Sequence, residues 1–319
     1  MKAKNLYERN LFVCAQSYSG PNNILFKLLH LISMYFQYYM NKLFIHDVYF
    51  KYIEVPITTK CTLKCKECCN LIQFYQDSYQ ISGHDIIYDI KNLSNIAKKI
   101  LRLRLLGGEP LLHPELPRIV EQILQYKNIK NIEIVTNGTL TLSREMIEVL
   151  IKSERVSIDI SNYGEKSIKQ KELIAQLENN NIRYSTQKER IFWTAQADCS
   201  YRGRNESQLM DVLSKCNMDC ISMLNGEIHL CPRSSHGMDL GIIPNNKTDY
   251  YNVRQMESIK EGKKNIYRLL NTRSIIACNY CDTYRWKELP QVRAAEQISK
   301  KEAKLLLKKY TDAQNHDIY

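Results

Sequence analysis

A chain of 319 residues with 44% hydrophobic content can bury one large core or two modest ones. Its formal charge of +11 is spread along the chain rather than gathered in a stripe, which argues against a nucleic-acid-binding module and leaves only a mild preference for an anionic substrate or partner. Eleven cysteines, an odd number with no secretory segment ahead of them, argue against a disulfide framework and for metal ligation in a reducing, cytoplasmic setting.

The basic start Met1-Lys-Ala-Lys4 leads to an apolar stretch from Ile24 to Met40. Lys27, His30 and Gln37 interrupt it, so it lacks the uncharged run of a transmembrane segment, and no small-residue cleavage site follows as in a signal peptide. An amphipathic helix packed on the main domain is expected, within a helical extension over 1–50; contact with a membrane surface is the alternative.

From residue 51 the pattern alternates. Strands are expected near 52–58, 100–106, 131–136, 155–160 and 182–186, with helices near 85–98, 115–126, 143–152 and 166–179. Repeats of this length predict parallel βαβ units in an α/β domain over 51–205.

The first strand, Tyr52-Ile-Glu-Val-Pro-Ile-Thr-Thr59, runs into Cys61-Thr-Leu-Lys-Cys65-Lys-Glu-Cys68. Three thiolates in one short loop suit three irons of a [4Fe–4S] cube and leave the fourth iron without a protein ligand. The second strand ends in Gly107-Gly108-Glu109-Pro110, the third in Asn137-Gly138, and the fourth contains Ser157-Ile-Asp159. In parallel α/β folds ligands collect at the carboxyl ends of the strands, so all four features are expected on one rim. Adjacent glycines let backbone approach a ligand, Glu109 offers an acceptor for an ammonium group, and Asn137, Ser157 and Asp159 offer partners for ribose and carboxylate. Arg102 and Arg104 alternate with leucines and are expected to point inward toward an anionic substrate, or equally to form a salt bridge at a helix–strand junction.

Taken in order, Cys61/Cys65/Cys68, Gly107-Gly108-Glu109-Pro-Leu-Leu-His-Pro114, Thr136-Asn137-Gly138 and Ser157-Ile-Asp159 resemble the radical S-adenosylmethionine (radical SAM) core over about half the chain. The resemblance implies a partial (βα)6 barrel. It also implies an open iron that holds the amino and carboxylate groups of S-adenosylmethionine, and a 5′-deoxyadenosyl radical that removes hydrogen from a substrate. Where the family often has an aromatic residue before the third cysteine, this chain has Glu67. Cys69 reads as a bystander thiol.

Beyond the barrel, Cys216, Cys231, Cys278 and Cys281 resemble the shortened auxiliary-cluster domain called twitch, a relative of SPASM, here over 206–290 as a small α+β domain. Asn225-Gly226 is a strong hairpin turn that would place Cys231 at the end of the returning strand. Four thiolates suit a closed cluster and also structural zinc; beside the barrel motifs, a second [4Fe–4S] is the preferred reading. Cys220 competes with Cys216. Cys14 and Cys199 read as structural thiols. Tyr163, Trp193, Arg233, Ser235 and His236 are candidates to line a substrate pocket, with no catalytic residue assigned. A C-terminal helix is expected over 291–319, with one apolar stripe among its lysines.

The expected function is oxidative modification of a small molecule, such as a sugar or amino sugar, with electrons from flavodoxin or ferredoxin. The alternatives are modification of a ribosomally made peptide or a non-catalytic Fe–S or zinc protein. No nucleic acid partner and no transmembrane segment are expected.

Overall fold

Residues 7–10, 24–216 and 219–312 are described by the computed structural model. Cys14 and the basic start at 1–4 lie outside the described residues. After a helical turn at 7–10 come α1 (Ile24–Met40), a π-helical turn at Asn41–Ile45 and β1 (Val48–Phe50). The barrel elements are β2 (Ile53–Thr58), α2 (Gly83–Ile96), β3 (Ala97–Gly107), α3 (Leu116–Ile123), β4 (Ile129–Thr136), α4 (Arg144–Leu150), β5 (Val156–Ile160), α5 (Gln170–Asn179) and β6 (Tyr184–Thr186). There follow β7 (Phe192–Thr194), α6 (Glu206–Lys215), β8 (Ile221–Leu224), β9 (Glu227–His229), α7 (Pro232–Asp239), β10 (Tyr250–Asn252), α8 (Ile259–Leu270), β11 (Gln291–Arg293) and α9 (Lys300–Asp312).

Strand periodicity builds the barrel. Ile53, Val55 and Ile57 of β2, Leu103 and Leu105 of β3, Ile132 and Ile134 of β4, and Ile158 and Ile160 of β5 are all buried. They form the face that α2, α3, α4 and α5 cover, while alternate residues point to the other face. Strands β2 to β6 pair in parallel in sequence order. Side-chain caps start the helices: Ser82 accepts from the backbone N–H of Asp85 before α2, and Ser143 from that of Met146 before α4.

The sixth parallel strand joins the other edge of the sheet. β8 pairs with β2, at the opposite edge from β6, and β9 and β10 continue that same sheet antiparallel. Residues 206–290 therefore extend the barrel sheet rather than forming a sheet of their own. The cause lies in the connection: after β6 the chain returns toward the β2 side, where the Glu67 carboxylate accepts from the backbone N–H groups of Gln196 and Ala197 at 2.8 and 2.7 Å. The hairpin forms as expected, with Asn225 and Gly226 both at positive φ.

The C-terminal segment also differs from the single helix expected. β11 pairs with β7, and the following residues dock on the cysteine loop before α9 begins at Lys300. Of α1, Met34 and Tyr38 are buried against the body while Ile24, Leu28, Ile32 and Phe36 are exposed. Among the described residues no helix is long and apolar enough to cross a membrane.

Candidate metal and cofactor site

β2 delivers Cys61 to the carboxyl end of the sheet, and tight turns wind the loop behind it: Cys68 N–H donates to Cys65 O at 3.2 Å and Leu71 N–H to Cys68 O at 3.1 Å. The three thiols are mutual electrostatic neighbours. Burial pushes Cys61 up to about 11 and Cys65 and Cys68 up to about 12, so each stays protonated unless a cation claims its sulfur.

The glycine pair explains how the loop sits so close to β3. A Cβ on Gly107, whose φ is +138°, would meet Thr58 O at 2.1 Å; one on Gly108 would meet Lys60 O at 2.1 Å and the Cys61 Cβ at 2.9 Å. Gly108 N–H donates to Thr58 O and Glu109 N–H to Lys60 O, both at 2.8 Å. The close approach expected toward a ligand is thus made by the chain's own cysteine loop.

Glu109 is fully buried. Its carboxylate accepts from Thr136 Oγ1 at 2.8 Å, Asn137 N–H at 2.9 Å and Leu111 N–H at 3.1 Å. Burial raises its pKa to about 7 against those three donors. Asn137 in turn donates to Thr62 Oγ1 at 3.0 Å and stands 3.7 Å from the Cys61 sulfur. The ends of β3 and β4 and the cysteine loop are therefore one hydrogen-bonded unit.

Beneath that rim the strands carry a charged cluster. Glu54, Arg104, Glu133 and Ser157 are in register across β2, β3, β4 and β5. Arg104 reaches Glu133 at 2.5 Å, Asp159 at 2.9 Å and Glu54 at 3.3 Å. Arg104 does point inward, but its ion pairs run between strands and not to a helix junction, because the alternation that buries the leucines leaves only strand neighbours on the other face. Arg102 is 53% exposed and 3.8 Å from Glu133. Desolvation raises the pKa of Glu54, opposed by Arg104. Asp159 also accepts from Ser185 Oγ at 2.8 Å. Three carboxylates surround this one guanidinium, so Arg104 is already paired within the sheet.

A second thiol group forms at α6, α7 and the 3-10 turn at Ile276–Tyr280. Cys216 ends α6, Cys231 is the N-cap of α7, and Cys278 and Cys281 close the turn. All four line one cavity of about 470 Å³, together with Cys69 and Arg233. Burial pushes Cys231 up to about 12, with Cys281 and Cys216 as neighbouring thiols. Arg204 holds the turn by donating to the carbonyls of Cys278 and Cys281. Cys220 lies elsewhere: its sulfur is 2.5 Å from the Tyr52 hydroxyl, near Glu54 and Arg104. Among the described residues no His, Cys, Asp or Glu group is drawn together to hold a single metal ion; a four-iron cube spreads its ligands over separate corners.

Arg233 is buried beside this cavity with an unusual set of partners. Its guanidinium donates to the Cys199 sulfur at 2.8 Å, to Asp198 O at 3.3 Å and to Gln196 O. No carboxylate pairs with it among the described residues; backbone carbonyls and the Cys199 sulfur accept its protons, and the sulfurs of Cys281, Cys231 and Cys69 lie nearby. Tyr163 packs edge-on against Trp193 at 5.3 Å, close to Cys65, Cys69 and Cys68. Ser235 and His236 instead lie inside the wall, bonded to Ser222 and Tyr75 at 2.9 Å each.

Residues 55–191 match the radical SAM superfamily. The chain carries a radical SAM domain. Relatives include the GTP 3′,8-cyclase of Clostridium acetobutylicum, 29% identical over 111 residues, which is 34% of this chain and 34% of that protein. The GTP 3′,8-cyclase of Campylobacter jejuni subsp. doylei is 27% identical over 128 residues, 39% of each. The chain thus spans little more than a third of the length of these relatives. Among solved structures, BtrN in complex with AdoMet and 2-DOIA aligns with a TM-score of 0.44 at 16% identity, over 74% of this chain and 94% of that one.

Around the cysteine loop, several contacts carried no motif signal. Glu67, in place of the usual aromatic residue, grips the 196–197 backbone. Gln297, far away in sequence, accepts from Lys64 N–H at 2.6 Å and donates toward the Cys65 sulfur at 3.5 Å. Cys69 lines the second cavity as well as neighbouring Cys65; its adjacency to Cys68 gave no hint of that direction.

Proposed function

We propose that Cys61, Cys65 and Cys68 hold a [4Fe–4S] cube whose fourth iron binds S-adenosylmethionine, and that the enzyme abstracts hydrogen from a small molecule bearing amino or hydroxyl groups. When bound and reduced by a flavodoxin or ferredoxin, the cube supplies the electron that splits the sulfonium bond and yields methionine and a 5′-deoxyadenosyl radical. Asn137 and Gln297 orient the thiolates of Cys61 and Cys65 from the sides. The Gly107-Gly108 pair keeps the loop seated on β3. Ser157 and Asp159 remain the candidates for the donor's ribose and carboxylate, with Asp159 shared between Arg104 and Ser185.

The observation that carries the substrate class is the charge on the inner strand faces: Glu54, Glu133 and Asp159 outnumber Arg102 and Arg104 and favour a cationic or hydroxyl-rich guest. Cys216, Cys231, Cys278 and Cys281 are proposed to hold a second, fully ligated [4Fe–4S], supported by their shared cavity. With no open iron its role is to take the electron that an oxidised substrate radical loses. Candidate amino sugars labelled with deuterium at each carbon test the reading: transfer of deuterium into 5′-deoxyadenosine is expected, and a panel of peptides giving transfer where every sugar fails refutes the substrate class.

A further inference from the structure

The N-terminal helix turns its apolar side away from the protein. Ile24, Leu28, Ile32 and Phe36 recur every four residues and so share one face of α1, and they are 86%, 54%, 57% and 65% exposed. Met34 and Tyr38, centred about a third of a turn round from that face, are buried. Beyond α1, Phe44 is 69% exposed. A helix that buries its narrow side and presents leucine, isoleucine and phenylalanine to solvent reverses the ordinary amphipathic arrangement, and such a surface is a contact site.

Charge identifies what covers it. Between Glu8 and Asp47 the sequence contains no acidic residue, and Lys27 lies in the apolar stretch; Lys42, just beyond it, is paired with Glu8 at 2.7 Å. The end of this segment is fixed to α8: Tyr267 packs on Tyr7 at 4.7 Å and on His46 at 4.5 Å, and Lys263 pairs with Asp47 at 3.0 Å. On the adjoining face of α8, Lys260, Lys264 and Arg268 recur every four residues, exposed and with no ion pair among the described residues. The apolar helix is thus joined, through His46 and Asp47, to a helix that carries a row of cations with no ion pair among the described residues. A second copy of the chain docked on this face about a two-fold axis would bring two such rows together. An anionic lipid surface satisfies both features, accepting the apolar face among its acyl chains and the cations at its headgroups.

We propose that α1 and the basic face of α8 form a peripheral docking surface for anionic membranes, with α1 lying in the bilayer interface. The test is sedimentation of the full chain with vesicles of phosphatidylcholine alone or mixed with phosphatidylglycerol. Binding to the mixed vesicles is expected to be at least about tenfold tighter and to weaken as salt rises from about 0.1 to about 0.5 M. Leu28→Gln/Ile32→Gln/Phe36→Gln should lower that binding by about tenfold or more, and Lys260→Glu/Lys264→Glu should erase the preference for the anionic lipid. A Phe36→Trp chain, otherwise intact, should show a blue-shifted emission on adding anionic vesicles even where the triple variant fails to fold. Absence of that shift, unchanged binding by the triple variant, or a lipid-free dimer that the triple variant dissolves would each overturn the proposal, the last in favour of self-association.

Discussion

The buried carboxylate of Glu109 accepts a hydrogen bond from the backbone N–H of Asn137 at 2.9 Å, tying the end of β3 to the end of β4 directly beside Cys61. Through that bond the Gly-Gly-Glu segment and the Asn-Gly turn position the first thiol together, so a change in either is felt at the cysteine loop.

Asn137→Ala removes the donor to Thr62 and the neighbour of the Cys61 sulfur. Outer partners of metal ligands commonly change activity by about 10–100-fold. Expected is a fall of that size in 5′-deoxyadenosine formation with most iron retained, checked by paired iron analysis and chromatography of the anaerobic protein.

Gly108→Ala should act on the loop itself. The added carbon would lie 2.1 Å from Lys60 O, against backbone that cannot yield without moving Cys61. A destabilisation of about 2–3 kcal/mol is expected, with iron falling from about eight to about four per chain as only the first of two cubes is lost. Thermal melting and iron assay check both parts.

How much of this was legible beforehand follows from range. Apolar alternation marked β2 to β5 within a few residues, and the cysteine spacing marked the loop, because both signals are local. Asn225-Gly226 foretold the hairpin for the same reason. The pairing of β8 with β2 was not legible, since it depends on where a connection of some thirty residues returns and on Glu67 holding its backbone. Gln297 against Cys65 and Cys69 facing the second cavity were equally hidden, being set by tertiary packing alone. The glycine pair was recognised for its close approach, but only the coordinates identify Thr58 and Lys60 as what approaches.

Arg233 supplies a prediction about the second thiol group. A buried guanidinium that lines the same cavity as the four thiols should favour the reduced, more negative state of a cluster bound there. Arg233→Met is expected to lower that cluster's reduction potential by on the order of 100 mV, the Coulomb effect of one charge at about 6 Å in a protein interior. Potentiometric titration followed by electron paramagnetic resonance reads this without substrate; an unchanged potential contradicts it.

His236 gives a pH dependence. Tyr75 donates its hydroxyl proton to Asp239 at 2.7 Å, so Nδ1 of His236 donates to the Tyr75 oxygen and the ring is neutral. Burial holds its pKa down at about 3, against an ordinary 6.5. The unfolded chain takes up a proton below pH 6.5 that the folded chain refuses, so stability is intact above 6.5 and falls as pH drops from 6.5 toward 3. At pH 5 the loss amounts to about 2 kcal/mol. Urea melts at pH 7.5 and 5.0 should show that difference shrinking in His236→Gln.

Whether Cys61, Cys65 and Cys68 hold a cube with a vacant iron is decided by one assay. Anaerobically reconstituted protein, given S-adenosylmethionine and dithionite, should form 5′-deoxyadenosine, and Cys65→Ala should abolish the product while keeping the second thiol group's iron. Iron-replete wild-type protein that releases no 5′-deoxyadenosine, or a Cys65→Ala chain that still releases it, would contradict that assignment.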